Sequence, residues 1–218
     1  MPTKLVLPPS DKLVAYVDEV GRGPLIHDVV VGCVIMPHEY DEDDMYVGRI
    51  KDSKKCSHKT LTELDAYIKD VAIAWGIGRA SAQEIDEFNI LNATFMAMHR
   101  ALDTVYEQVE FDEIYVDGNK FKTYLTPCGA EFIRHKCVID GDATYLGIAA
   151  ASIIAKVCRD KLIDDLVAEH PEYDERYKLS SNKGYGTKDH MDGLMTFGTT
   201  PFHRMSFRPV ANAFRGGQ

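Results

Sequence analysis

Short runs of strand-forming residues open the chain, and segments of helical period then alternate with further short runs; this order limits the fold more than any other feature. Residues 13–18 (LVAYVD) and 28–36 (DVVVGCVIM) are rich in β-branched residues and flank a glycine-containing stretch. That pattern predicts a hairpin whose turn carries Gly21-Arg22-Gly23. Ser57 is placed to cap a helix with Leu61, Leu64, Ile68 and Val71 on one face, and residues 72–77 read as a strand. Ser81 and Glu84 have capping-box spacing, and Ile85, Phe88, Leu91, Phe95, Met98 and Leu102 recur every three or four residues behind them, so a continuous helix is expected. Residues 114–117 (IYVD) and 136–139 are further strands. A long amphipathic helix is expected over 143–169, with Ile148, Ala151, Ala155, Cys158, Leu162 and Leu166 on one stripe. Its run Ala149-Ala150-Ala151-Ser152 is small enough to lie close on a sheet. Thr187 is placed to cap a last helix ending at Gly198, and residues 199–210 lack periodicity. Two leading strands followed by alternating helices and strands make an α/β fold with a mixed sheet.

A chain of 218 residues, 45% hydrophobic, is long enough to bury one substantial core, so a single domain over 1–218 is expected. No apolar run is long enough to cross a membrane, and residues 1–12 are too short and Pro-rich for a signal peptide, which predicts a soluble, cytoplasmic protein. Cys33, Cys56, Cys128, Cys137 and Cys158 show no C-x-x-C spacing; core packing is their expected role rather than a disulfide framework or a zinc site. The formal charge of −9 argues at first against a phosphate-rich partner. Its distribution weakens that argument: after residue 175 seven basic residues face two acidic ones, a net of +5, so residues 1–175 carry −14. The tail could hold a phosphate backbone while an acidic body collects cations.

Carboxylates stand where buried elements end: Asp18 and Glu19 after the first strand, Asp117 after a later one, Asp142 at the start of the long helix. If the strands of Asp18 and Asp117 are parallel neighbours, their ends meet. Four crowded carboxylates repel one another, and hard divalent cations such as Mg²⁺ or Mn²⁺ supply the counter-charge. Two such ions about 4 Å apart can bind a phosphodiester and activate water. Taken singly, each aspartate is more often a turn former or helix cap. Local chemistry alone therefore leaves metal-dependent phosphotransfer and a purely structural role both open. Tyr185, between two glycines, and the lysines of 51–55 and 183–188 are by default exposed surface.

The motifs, taken together, resemble ribonuclease HII. Residues 16–24 (YVDEVGRGP), 52–55 (DSKK), 85–93 (IDEFNILNA), 116–119 (VDGN), 141–160, 183–187 (KGYGT) and 200–210 (TPFHRMSFRPV) match that family's motifs in order along nearly the whole chain. The resemblance implies an RNase H-like mixed five-stranded sheet flanked by helices, with a helical C-terminal substrate-binding part from about residue 170. It implies a two-metal site on Asp18, Glu19, Asp117 and Asp142, with Asp18 shared by both ions. It further implies that the backbone of Gly21, Arg22 and Gly23 contacts the ribonucleotide 2′-hydroxyl, that Tyr185 packs on the sugar, and that Lys54 and Lys183 contact phosphates. The implied partner is an RNA/DNA hybrid or a ribonucleotide-containing duplex, and a monomer is expected. Val20, His27, Asp28 and Asp140 depart from the family pattern.

Three other readings stand beside it. Ribonuclease HIII carries an extra N-terminal domain, whereas about a dozen residues precede the first strand here. A catalytically weak hybrid-binding protein would gain nothing from four acids facing phosphates. A small-molecule phosphotransferase would be expected to carry a Walker-type glycine loop, which is absent.

Overall fold

The computed structural model describes residues 5–7, 9, 11–39, 44–51, 56–129 and 131–216. Lys54, with the rest of 52–55, and residues 40–43 (YDED) lie outside the described residues. The strands are β1 (Val14–Val20), β2 (Val29–Ile35), β3 (Ala74–Ala80), β4 (Glu113–Asp117) and β5 (Arg134–Val138). The helices are α1 (Met45–Lys51), α2 (His58–Val71), α3 (Ala82–Tyr106), α4 (Gly141–Thr144), α5 (Leu146–Glu169), α6 (Pro171–Tyr177), α7 (Leu179–Asn182), α8 (Lys188–Phe197) and α9 (Arg208–Gly216). Among the described residues, no helix is long and apolar enough to cross a membrane.

The strands form one mixed sheet in the order β3-β2-β1-β4-β5. The expected hairpin is present: β1 and β2 are antiparallel, with Asp18 opposite Gly32 and Val20 opposite Val30. β1 is parallel to β4 with Val17 opposite Val116, and β4 is parallel to β5 with Asp117 opposite Val138. β2 is buried along its whole length, as its unbroken apolar run requires. Gly32 lets α5 lie against it: a Cβ there would come within 2.3 Å of the Ala151 carbonyl oxygen. The small-residue run of α5 thus does what its composition suggests.

Expected elements differ in detail, and the helix expected to be the last, α8, is followed by α9. The strand expected over 72–77 begins at Ala74, because α2 runs to Val71 and the Ala72 N–H still bonds the Ile68 carbonyl. The helix expected to be continuous from Ser81 is broken at Asn89 (φ 63°, ψ 160°), whose carboxamide oxygen accepts from the N–H groups of Leu91 and Asn92 and caps the continuation. The helix expected over 143–169 is broken at Tyr145, where Val6 intrudes: its N–H bonds the Thr144 carbonyl and its carbonyl accepts from the Leu146 N–H. Nor is α5 striped throughout. From Leu146 to Ala151, and again from Ile153 to Ala155, every residue except Gly147, whose Cβ position is filled by the Tyr16 ring, is a buried apolar one. Cys33 is buried in the core as expected, but Cys128 is exposed; no disulfide joins any of the five cysteines.

The chain divides into two compact units. The first, residues 1–20, 30–79 and 95–157, holds the sheet and a core in which Val34, Met36, Leu64 and Ile68 pack with Leu146 and Ile154. Each such side chain contributes about 1.5–3 kcal/mol when fully buried. The second, residues 21–29, 80–94 and 158–218, packs Leu25 and Ile26 with Ile163, Leu166, Tyr177 and Leu194.

Candidate active site

The end of β1 and the end of β4 define the carboxylate site of the first unit. Because the strands are parallel with Val17 opposite Val116, the next residues along each, Asp18 and Asp117, fall side by side at one end of the sheet. Asp18 is 6% exposed. Its Oδ1 accepts from the Glu19 N–H at 2.8 Å, and Ser152 on α5 also hydrogen-bonds its carboxylate. Burial pushes the Asp18 carboxyl up to about 8, and the Glu19 and Asp117 charges push the same way against the two hydrogen bonds. Asp117 Oδ1 accepts from the Gly141 N–H at 2.7 Å. That bond fixes the start of α4 and so carries the next residue, Asp142, to the end of β4. The left-handed Asp140 (φ 53°) turns the chain into it.

The donors are all carboxylate oxygens, with no thiolate or imidazole among them, which is the set that Mg²⁺ or Mn²⁺ takes. A buried acid beside two further acids is a site where a cation relieves both desolvation and repulsion. These residues fit a hard divalent ion in donor chemistry. Among the described residues, no three His, Cys, Asp or Glu side chains stand close enough together to hold one unaided.

In the second unit, the connection between β1 and β2 is an eight-residue loop that begins with Gly21-Arg22-Gly23. Arg22 and Gly23 are exposed, while Gly21 and Pro24 on either side are buried. Gly21 has φ +96°, and a Cβ there would meet Arg159 Nε at 2.3 Å, so neither conformation nor space admits a side chain. Two buried arginines hold this loop. Arg204 donates from Nη2 to the Gly21 carbonyl (2.7 Å), from Nη1 to those of Arg22 (3.2 Å) and Pro24 (2.8 Å), and from Nε to that of His27 (2.8 Å). Arg159 donates to the carbonyls of Lys183 (2.8 Å) and Ile26 (3.4 Å). The Leu25 N–H bonds the Gly184 carbonyl at 2.8 Å, which ties the loop directly to residues 183–187.

Tyr185 is 46% exposed, and a Cβ built on Gly23 would lie 3.5 Å from its ring. Its carbonyl accepts from His190 Nδ1–H at 3.1 Å. A carbonyl cannot donate, so His190 Nε2 carries the lone pair and accepts from His203 Nε2–H at 3.1 Å. His203 Nδ1 in turn accepts from the Thr200 N–H at 3.0 Å. The chain of bonds requires both rings neutral, and burial, with His190 alongside, pushes His203 down to about 3. Lys183 is left-handed, and its ammonium is paired with Asp164. Of the departures from the family pattern, His27 is also left-handed (φ 68°) and stacks on Phe202 at 6.0 Å.

The structure therefore brings Asp18, Glu19 and Asp117 together in the first unit and carries Asp142 to the same end of β4. In the second unit it brings Gly21, Gly23, Tyr185 and Lys183 together. Sequence reasoning did not find Ser152, Arg159, Arg204, His190 or His203 as functional. Ser152 and Arg159 lie in the stretch 141–160, and His203 and Arg204 in 200–210, both of which carry the family resemblance.

The Ribonuclease HII family matches residues 15–210. The ribonuclease HII of Colwellia psychrerythraea is 43% identical over 97% of this chain and 96% of its own. Among solved structures, ribonuclease H2 from Pyrococcus horikoshii OT3 superimposes with a TM-score of 0.70 at 25% identity, covering 93% of this chain and 97% of that one. Bst-RNase HIII in complex with Mn²⁺ shares the fold at 16% identity with a TM-score of 0.65, covering 93% of this chain and 69% of that one. Sheet order, site and relatives define a ribonuclease H hydrolase, and the chain belongs to the ribonuclease HII family.

Proposed function

We propose that this chain hydrolyses the phosphodiester on the 5′ side of ribonucleotides, both in RNA/DNA hybrids and at single ribonucleotides embedded in duplex DNA, leaving a 3′-hydroxyl and a 5′-phosphate. The observation that carries this reading is the parallel register that sets buried Asp18 beside Asp117 at one sheet end. Asp18, Glu19, Asp117 and Asp142 would hold two divalent cations, Mg²⁺ or Mn²⁺. When bound there, such ions neutralise developing phosphate charge and lower the pKa of a water for in-line attack. Asp18 presents its carboxylate from a rigid strand, and Ser152 fixes its orientation. Asp117 sets α4 and with it Asp142.

The backbone of Gly21, Arg22 and Gly23 would receive the 2′-hydroxyl, the atom that separates RNA from DNA. Tyr185 would lie on the adjoining sugar, and Lys54 and Lys183 would meet phosphates. A duplex carrying a single ribonucleotide tests the assignment: the protein should nick it on the 5′ side only with divalent cation present. Cleavage at any other phosphodiester, or undiminished cleavage by Asp18→Asn, would sink it. Mapping cuts in duplexes with one and with four ribonucleotides separates the two substrates.

A further inference from the structure

Arg204 is fully buried, and its guanidinium donates to four main-chain carbonyls within one loop, those of Gly21, Arg22, Pro24 and His27. A buried cation is costly, and this one lies beside a second, Arg159, whose charge opposes it. An apolar side chain would fill the space at lower cost. What the guanidinium supplies is direction. No described peptide bond is cis, and in a trans peptide the N–H points opposite to the C=O. With the Gly21 and Arg22 carbonyls drawn inward onto Arg204, the N–H groups of Arg22 and Gly23 are turned to the opposite side of the loop. Those are its two exposed residues, between buried Gly21 and buried Pro24.

We propose that Arg204 is the positioning residue for ribose discrimination: by anchoring the carbonyls of Gly21 and Arg22 it aims two successive amide donors at the 2′-oxygen of the substrate. This rests on the assignment of residues 21–23 as the 2′-hydroxyl contact. Arg159 supports the same loop from the Gly21 side. Its Nε is buried without a hydrogen-bond partner, against the position that a side chain at residue 21 would occupy. Preorganised donors of this kind discriminate sharply, because a substrate lacking the matching oxygen leaves them unpaired.

The test compares cleavage of a duplex carrying one ribonucleotide with cleavage of the same duplex carrying 2′-fluoro-2′-deoxyribose at that site. The ratio of the two kcat/KM values is measured in the wild type, Gly23→Ala and Arg204→Lys. Lysine keeps the charge but cannot span four carbonyls. Both substitutions should lower the ratio by about tenfold or more. A purely structural role for Arg204 would reduce the folded fraction, cut both activities equally and leave the ratio unchanged. A lowered ratio in Gly23→Ala alone overturns the role of Arg204 and keeps the loop as the contact; an unchanged ratio in both removes the loop assignment as well. If Arg204→Lys does not fold, NMR of the wild type without divalent cation decides. The Arg204 Nε–H signal and the Arg22 and Gly23 amide signals should shift together with the ribonucleotide duplex and stay fixed with an all-DNA one. Amide shifts with an unmoved Arg204 signal overturn the proposal.

Discussion

Asp18 is the most deeply buried of the four proposed catalytic acids, and the Glu19 and Asp117 charges act on it, so its replacement separates charge from shape. Asp18→Asn should lower ribonucleotide-dependent nicking by about 10²- to 10³-fold. Mg²⁺ or Mn²⁺ should raise the melting temperature of the wild type by binding the folded form, and Asp18→Asn should abolish that rise; differential scanning fluorimetry with and without cation checks this. The His190–His203 pair makes a second prediction at this scale. His203 in the folded protein is pushed down to about 3, below its ordinary value of 6.5. Between those values the unfolded chain takes a proton that the folded form refuses, so stability is intact above about pH 6.5 and falls as pH drops. By about pH 5 the loss should be about 2 kcal/mol, read from urea midpoints, and His203→Gln should flatten the dependence. The four candidate acids were legible as a proposal because each stands in a motif, at the end of a strand-forming run or at the start of a helix. Arg159, Arg204, His190 and His203 were not, since a polar residue that is wholly buried looks the same in one dimension as one in water.

At the scale of elements, local signals succeeded where one segment settles the outcome by itself. The capping box forms as spaced, with the Ser81 N–H bonding Glu84 and the Glu84 N–H bonding Ser81 Oγ, so Ser81→Ala should cost about 1 kcal/mol in chemical denaturation. Local reasoning failed where a distant segment intrudes. The break at Tyr145 follows from Val6, far off in the chain, and no periodicity within 143–169 encodes it. The break at Asn89 was within reach, because asparagine tolerates a left-handed φ and caps helices, but the apolar repeat outweighed it. The contact between β2 and α5 has a functional consequence. Gly32→Ala would force α5 off the strand, and α5 carries the serine that orients Asp18. A loss of about 1–3 kcal/mol in stability should be accompanied by a larger fall in kcat than in substrate binding.

For the whole molecule, charge is partitioned rather than summed. On the proposed assignment, a chain of net −9 would bind a nucleic-acid duplex through the basic residues that follow position 175. Raising ionic strength should therefore weaken duplex binding steeply. Exposed Lys178 and Lys188 are the first to neutralise: each →Gln change that removes a phosphate contact should reduce the log–log salt slope by about 0.9, measured by fluorescence anisotropy. The bonds from Arg204 to Gly21 and Pro24 join residues 183 and 180 positions apart in the chain. Closing so long a loop is slow, because its entropy is lost before any contact compensates. During synthesis, then, the ribosome has made the strands that end in Asp18 and Asp117 well before the residue that anchors the loop between β1 and β2. On the proposed assignment, the acids would be in place early, and the choice of sugar would be among the last things the growing chain acquires.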